Sequence, residues 1–195
     1  MKVLLISAQV YPVPPVDFGY GGLEVMVYDL AEELGKRGHD VYVLAPEGSM
    51  GEHFKVLTPV RPSLANGEAV AFDAVRPSLK DYDIIHDHSW DGHIYLAKME
   101  EPRLRVLHTM HGLLPYLSKP VPKPNFVAAS KFHQDYLKRE LGFVTQVVYH
   151  GIDLGRLVYQ EEKEDYLLYL ARVVAFKGAH DFVSLCHRTG HRGIV

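Results

Sequence analysis

GYGGLEVMVYDLAEELGKRGHDVYVLAP, residues 19–46, places an amphipathic helix directly before a buried strand. Leu23, Met26, Val27, Leu30, Ala31 and Leu34 recur at intervals of three and four, which sets six apolar side chains on one helical stripe. Lys36 and Arg37 suit the negative end of the helix dipole, and Gly38 is a natural residue just past the end. Val41–Ala45 is then a continuous apolar run, as expected of a strand covered on both faces. Val3–Ser7, upstream of the glycines, has the same character.

Working outward, the strand–helix alternation continues. Ile84–His86, Arg105–His108, Phe126–Ala128 and Thr145–Tyr149 are further candidate strands, and Glu68–Arg76 is a candidate helix. Ser130 is a good N-cap for a helix expected to carry Phe132, Tyr136, Leu137 and Leu141 inward. That helix should end at Lys138–Arg139 and Gly142. The pattern predicts an α/β fold, a Rossmann-like doubly wound parallel sheet, over residues 1–150. Residues 151–164 are polar, contain the charge run EEKED, and read as a linker. Tyr166–Leu170 and Gly178–Arg188 then suggest another strand and helix, and GHRGIV begins a third element. Residues 165–195 are therefore expected to be the incomplete start of a second Rossmann-like domain, with an unpaired strand that leaves the segment mobile, docked back or paired with another copy.

The bulk numbers narrow the function classes. The chain has 195 residues, 47% hydrophobic and 23% charged, the profile of an ordinary globular protein. A formal net charge of −3 gives no basic face for nucleic acid. The one cysteine, Cys186, cannot form a disulfide within the chain and suits a reducing compartment. The short apolar run Val3–Ile6 is too brief for a signal peptide, and no stretch is long enough to span a bilayer. The expected location is the cytoplasm, with visits to a membrane surface.

Gly19, Gly21 and Gly22 raise a sharper question. A dinucleotide fingerprint needs G-x-G-x-x-G in a tight turn after the first strand. Here Glu24 occupies the last glycine position, and a long loop stiffened by Pro12, Pro14 and Pro15 precedes it. Bare glycines at a helix mouth still let backbone N–H groups approach an anion. A turn that simply brings helix and strand close would use the same residues, and both readings stand at this point.

HDHSWDGH, residues 86–93, offers a second motif. Histidines interleaved with carboxylates suggest a zinc or two-metal hydrolase. The spacing His86-x-His88-x-x-Asp91-x-His93 departs from the hydrolase pattern H-x-H-x-D-H at the aspartate and at the last histidine. In a strand, His86 and His88 share a face and Asp87 points away.

Five segments in order, GYGGLEVMVYDLAEELGKRGHDVYVLAP, DYDIIHDHSW, HTMHG, VVYHGIDLGRL and LYLARVVAFKG, resemble glycosyltransferase family 4 of GT-B architecture, and the similarity covers essentially the whole chain. The resemblance implies two Rossmann-like domains flanking a cleft, the N-terminal one holding the acceptor and the other the nucleotide-sugar donor. It implies sugar transfer with retention of configuration, with no metal ion and no cofactor beyond the donor substrate. On it, Gly21 and Gly22 face the donor diphosphate, and Arg172 and Lys177 are an R-x4-K pair on the same group. Their fork and point charge suit phosphate oxygens. His111 is the implied catalytic residue, contacting the donor sugar, and His88, Trp90, Asp91 and Glu24 lie on the acceptor side.

The chain departs from the family pattern in three places. His150 stands where the family usually has asparagine, and Ala171 where it usually has glycine. The family's donor-side E-x7-E segment does not occur between Lys177 and Val195. The chain alone is therefore expected to be inactive or weakly active and to bind a nucleotide sugar no tighter than roughly millimolar. The acceptor is a sugar, lipid or small molecule, and self-association through the C-terminal segment is a further expectation. Two alternatives remain: a non-catalytic sugar- or partner-binding Rossmann-like module, and the metal-dependent hydrolase.

Overall fold

A computed structural model describes residues 1–16, 20–58, 60–61, 66–112, 125–142 and 145–195. Gly19 and the Leu141 side chain, both invoked above, lie outside the described parts. The chain divides into two compact units, Met1–Asp153 and Leu154–Val195.

The first unit contains β1 (Lys2–Ile6), α1 (Gly22–Lys36), β2 (Asp40–Leu44), β3 (Lys55–Leu57) and α2 (Gly67–Val75). β4 (Ile84–Asp87), α3 (Ile94–Glu100), β5 (Val106–Met110), β6 (Phe126–Ala128), α4 (Lys131–Leu141) and β7 (Gln146–Val147) follow. The seven strands are parallel, in the order β3-β2-β1-β4-β5-β6-β7. The chain winds outward from β1 to β3, then crosses to β4 on the other side of β1. That reversal is the switch point where α/β folds open a crevice beyond the carboxyl ends of their strands.

The apolar runs are buried on both faces, as their continuity predicts. In β1, Val3 and Leu5 pack with Val27 and Ala31 of α1, whereas Leu4 and Ile6 pack with Ala71, Phe72 and Val75 of α2. Each such side chain contributes about 1.5–3 kcal/mol when fully buried. The end of α1 satisfies its own carbonyls. Gly38, at φ 83°, donates to the Gly35 carbonyl, and His39 donates to the Leu34 carbonyl. That is the paired closure expected of a glycine just past a helix.

Three local expectations are corrected, and β3 and α3 are elements that the sequence pattern does not predict. In β3, three residues with one alternating pair are too short to carry a period. Phe132 points outward and is 68% exposed, while His133 and Leu137 are buried. The helix phase is set one residue later, because Ser130 accepts the His133 N–H and so fixes where the first turn begins. Strand β7 is two residues long rather than five, with Val148 and Tyr149 exposed beyond it. Finally, the strand expected to be unpaired has a partner.

That partner lies in the second unit, which holds β8 (Leu167–Leu168), α5 (Ala179–Thr189) and β9 (Gly193–Ile194). β8 and β9 pair in parallel, Leu167 opposite Gly193 and Leu168 opposite Ile194, so GHRGIV completes a β–α–β unit. A Cβ on Gly193 would stand 2.8 Å from Cys186 Sγ, so the single cysteine packs tightly against β9. Leu170, Val173, Phe176 and Val183 of this unit remain exposed.

Candidate active site

Period-two alternation decides which side chains meet at the ends of β4 and β5. Asp87 shares a face with Ile85 and bonds His108 Nδ1 at 3.1 Å, with Tyr95 and Phe126 around that ring. Asp87 also accepts the Ser89 N–H at 2.9 Å. Burial pushes its carboxyl up, but the His108 contacts and the Ser89 bonds outweigh this and hold it below the usual carboxylate range. This pair is a structural rivet.

The opposite face carries the imidazoles. His86 Nε2 meets Thr109 Oγ1 at 2.7 Å, and His88 Nδ1 meets His111 Nε2 at 3.1 Å. The rings of His86 and His88 are 4.0 Å apart, and His150 stacks on His111 at 5.2 Å with an 18° tilt. Four histidines therefore form one chain of rings, ending at the exposed residues after β7.

His86, His88 and His150 of this chain floor a cleft of about 280 Å³ within the first unit, and His111 stands against His88 and His150 without lining it. Met26 and Leu30 of α1 form one wall and Val148, Tyr149 and Ile152 the other, with Asp29 and Glu33 also bordering it. The α1 stripe read from sequence thus splits between two tasks. Val27 and Ala31 face the sheet, and Met26 and Leu30 face the cleft.

The electrostatics follow from burial. Desolvation, with mutual repulsion among the rings, lowers His86 to about 4 and His111 to about 3, holds His88 well below its ordinary value, and lowers His150. At neutral pH all four are uncharged. They can donate and accept hydrogen bonds, but they bring no positive charge to a phosphate. With apolar walls and acidic groups at the border, the cleft suits a neutral, hydroxyl-bearing ring.

The other sequence-predicted residues occupy distinct positions. Gly21, at φ 151°, caps α1 and is buried, and a Cβ there would collide with Pro15 and the Glu24 carboxylate. Gly22 is exposed, with open space beside it. Glu24 is folded back on its own backbone amide, and burial raises its carboxyl above the usual range. The mouth of α1 thus already has a side-chain acid beside it. Trp90 and Asp91 lie on the loop after β4, their backbone amides bonded to the Glu68 carboxylate.

In the second unit, Arg172 and Lys177 approach the same Phe176 ring at 5.9 and 5.7 Å. The Tyr169 hydroxyl lies 2.8 Å from the Arg172 carbonyl and 3.3 Å from the Lys177 carbonyl, so its one hydrogen is shared between them or given to the nearer. The R-x4-K spacing therefore brings both cations to one aromatic ring. Among the described residues, no group of three or more His, Cys, Asp or Glu side chains is arranged to hold a metal ion. His86 and His88 face Thr109 and His111, while Asp91 approaches His93 at 3.6 Å.

Residues 20–156 match the model of Glycosyltransferase Family 4. The chain belongs to that family. Among solved structures, this family 4 chain is similar to HepE of Anabaena, crystallised with UDP and glucose. Identity is 17% and the TM-score 0.51, over 97% of this chain and 50% of that one. It is also similar to MurG of Acinetobacter baumannii, at 14% identity and a TM-score of 0.49, over 86% of this chain and 50% of that one. The chain thus spans half the length of each. The likeness to HepE supports a GT-B, Rossmann-like fold. A comparison with curated proteins found no match. No helix among the described residues is long and apolar enough to cross a membrane.

Glu68, His86 and His150 are the site residues that motif reading missed. His86 was quoted within HDHSWDGH but only as a metal ligand, and its alternation with His88 was the available signal. Glu68 had none, because its partners lie more than twenty residues away.

Proposed function

We propose that this family 4 chain is the acceptor-side part of a retaining, metal-independent glycosyltransferase that uses a nucleotide-sugar donor. The observation that carries the reading is the cleft floored by neutral imidazoles inside the segment that matches the family. His111 contributes a hydrogen bond to the transferred sugar, and its uncharged state at pH 7 suits that task better than proton donation. His88 orients His111 through their shared hydrogen bond. Arg172 and Lys177 bind the donor diphosphate, and Gly22, exposed at the mouth of α1, is assigned as an anion-binding backbone position. His88, Trp90, Asp91 and Glu24 serve the acceptor side. The complex of HepE with UDP and glucose supports the choice of donor class.

The test is calorimetry with UDP-glucose and other nucleotide sugars, followed by a transfer assay with product stereochemistry read by NMR. Binding of at most roughly millimolar affinity is expected for the chain alone, weakened further by Arg172→Ala. Micromolar binding unaffected by R172A would overturn the assigned phosphate site. An inverted product would overturn retention.

A further inference from the structure

Glu68 lies in the first turn of α2, and its carboxylate reaches across to a single loop. It accepts the Trp90 N–H at 3.0 and 3.1 Å on its two oxygens and the Asp91 N–H at 2.8 Å. It also borders a small cavity with Ser7, Gln9, Ser89 and His93. Ser7 Oγ, Gln9 Oε1 and His93 Nε2 are buried there without a hydrogen-bond partner among the described residues, His93 Nε2 standing 3.6 Å from Asp91 Oδ2. The charged and titratable groups facing Glu68 are Asp91 and Asp87 on the loop and strand, and His93 at the start of α3. Burial dominates, the two amides offset part of it, and the neighbouring carboxylates add to it, which brings Glu68 to about 7.

We propose that Glu68 is a positioning residue: as a carboxylate it clamps the Trp90 and Asp91 amides and fixes how that loop is presented, and on taking a proton from solvent it releases them. An ionised acceptor forms roughly twice as strong a bond to N–H as a neutral one, and the proton occupies one of the two oxygens that now accept. The loop is thereby held firmly above neutrality and loosely below it. The clamp is a property of the fold; only its consequence for an acceptor rests on the sugar-transfer reading.

Trp90 is the only tryptophan in the chain, so its fluorescence reports the loop directly. Between about pH 5.5 and 8.5 the emission should shift with a midpoint near neutrality. Glu68→Gln should abolish that shift and hold the low-pH emission throughout, with unchanged far-UV circular dichroism. A flat wild-type profile overturns the clamp, as does a transition retained in E68Q, which would mark His93 or Asp91 as the responsive group. Hydrogen exchange on the unmodified chain gives an independent reading should E68Q fail to fold. After correction for intrinsic rates, protection of the Trp90 and Asp91 amides should fall about tenfold from the upper to the lower pH relative to Val43. Equal relative protection at both ends overturns the proposal. A working clamp alongside micromolar nucleotide-sugar binding unaffected by R172A, or alongside an inverted product, would count against the proposed function and not against the clamp.

Discussion

The two adjacent glycines at the mouth of α1 should respond oppositely to alanine. At Gly21 the new Cβ would stand 2.6 and 2.9 Å from Pro15 carbons and 2.9 Å from Glu24 Oε2, at a φ of 151°. Pro15 is a rigid ring, so the collision must move backbone, an overpacking cost of about 1–3 kcal/mol. The backbone conformation adds about 1–3 kcal/mol for a residue that has a Cβ. Together that is roughly 2–6 kcal/mol, a large share of the ~5–15 kcal/mol that holds a typical domain. At Gly22 a Cβ meets nothing within 4 Å, so alanine should be neutral or stabilise by about 0.4–1 kcal/mol through the unfolded chain. Urea unfolding followed by Trp90 fluorescence reads the same unit, and with a typical slope the Gly21→Ala midpoint should fall by roughly 1–2 M. A G21A loss below about 0.5 kcal/mol, or an equal loss in G22A, would refute the packing account. The same pair separates fold from ligand: with the diphosphate at the Gly22 N–H, G22A weakens nucleotide-sugar binding while leaving stability intact.

The imidazole chain makes stability fall with acid. The rings stay neutral when folded but gain protons when unfolded below about pH 6.5, so stability is complete above that value and drains away toward pH 4. His86 and His111 should each cost up to about 2 kcal/mol at pH 5, checked by urea midpoints at pH 7 and 5 and by NMR titration of the ring protons. Asp87→Ala strands His108 in the core and should cost about 3–5 kcal/mol in the same assay, whereas replacing both residues with apolar ones should cost less. Along α4, Leu137→Ala should lose about 2–5 kcal/mol and Phe132→Ala under ~0.5 kcal/mol, which tests the helix phase directly. Millimolar chelator should leave the thermal midpoint and nucleotide-sugar binding unchanged.

Much of the sheet was legible because burial on both faces writes itself as unbroken apolar runs. Val3–Ser7 and Val41–Ala45 needed no more than that, and Gly38 and Ser130 marked helix ends by local chemistry. β3 escaped because Lys55–Leu57 is held by its parallel neighbour Tyr42–Leu44 rather than by any period of its own. Phe132 misled for a related reason: on a helix with few apolar residues, hydrophobicity alone is a poor guide to phase, and the Ser130 cap decided it.

What the chain specifies locally is its alternation of elements, its caps and the spacing that sets His88 beside His86 and apart from Asp87. Those features depend on neighbours within a turn or a pleat, so a linear reading reaches them. The order of strands around β1, the stacking of His150 on His111 and the grip of Glu68 on residues 90 and 91 depend on contacts between distant segments. Only folding brings them within the few ångströms over which hydrogen bonds and burial act, and the depressed pKa values of the imidazoles exist only once water has been driven from between them.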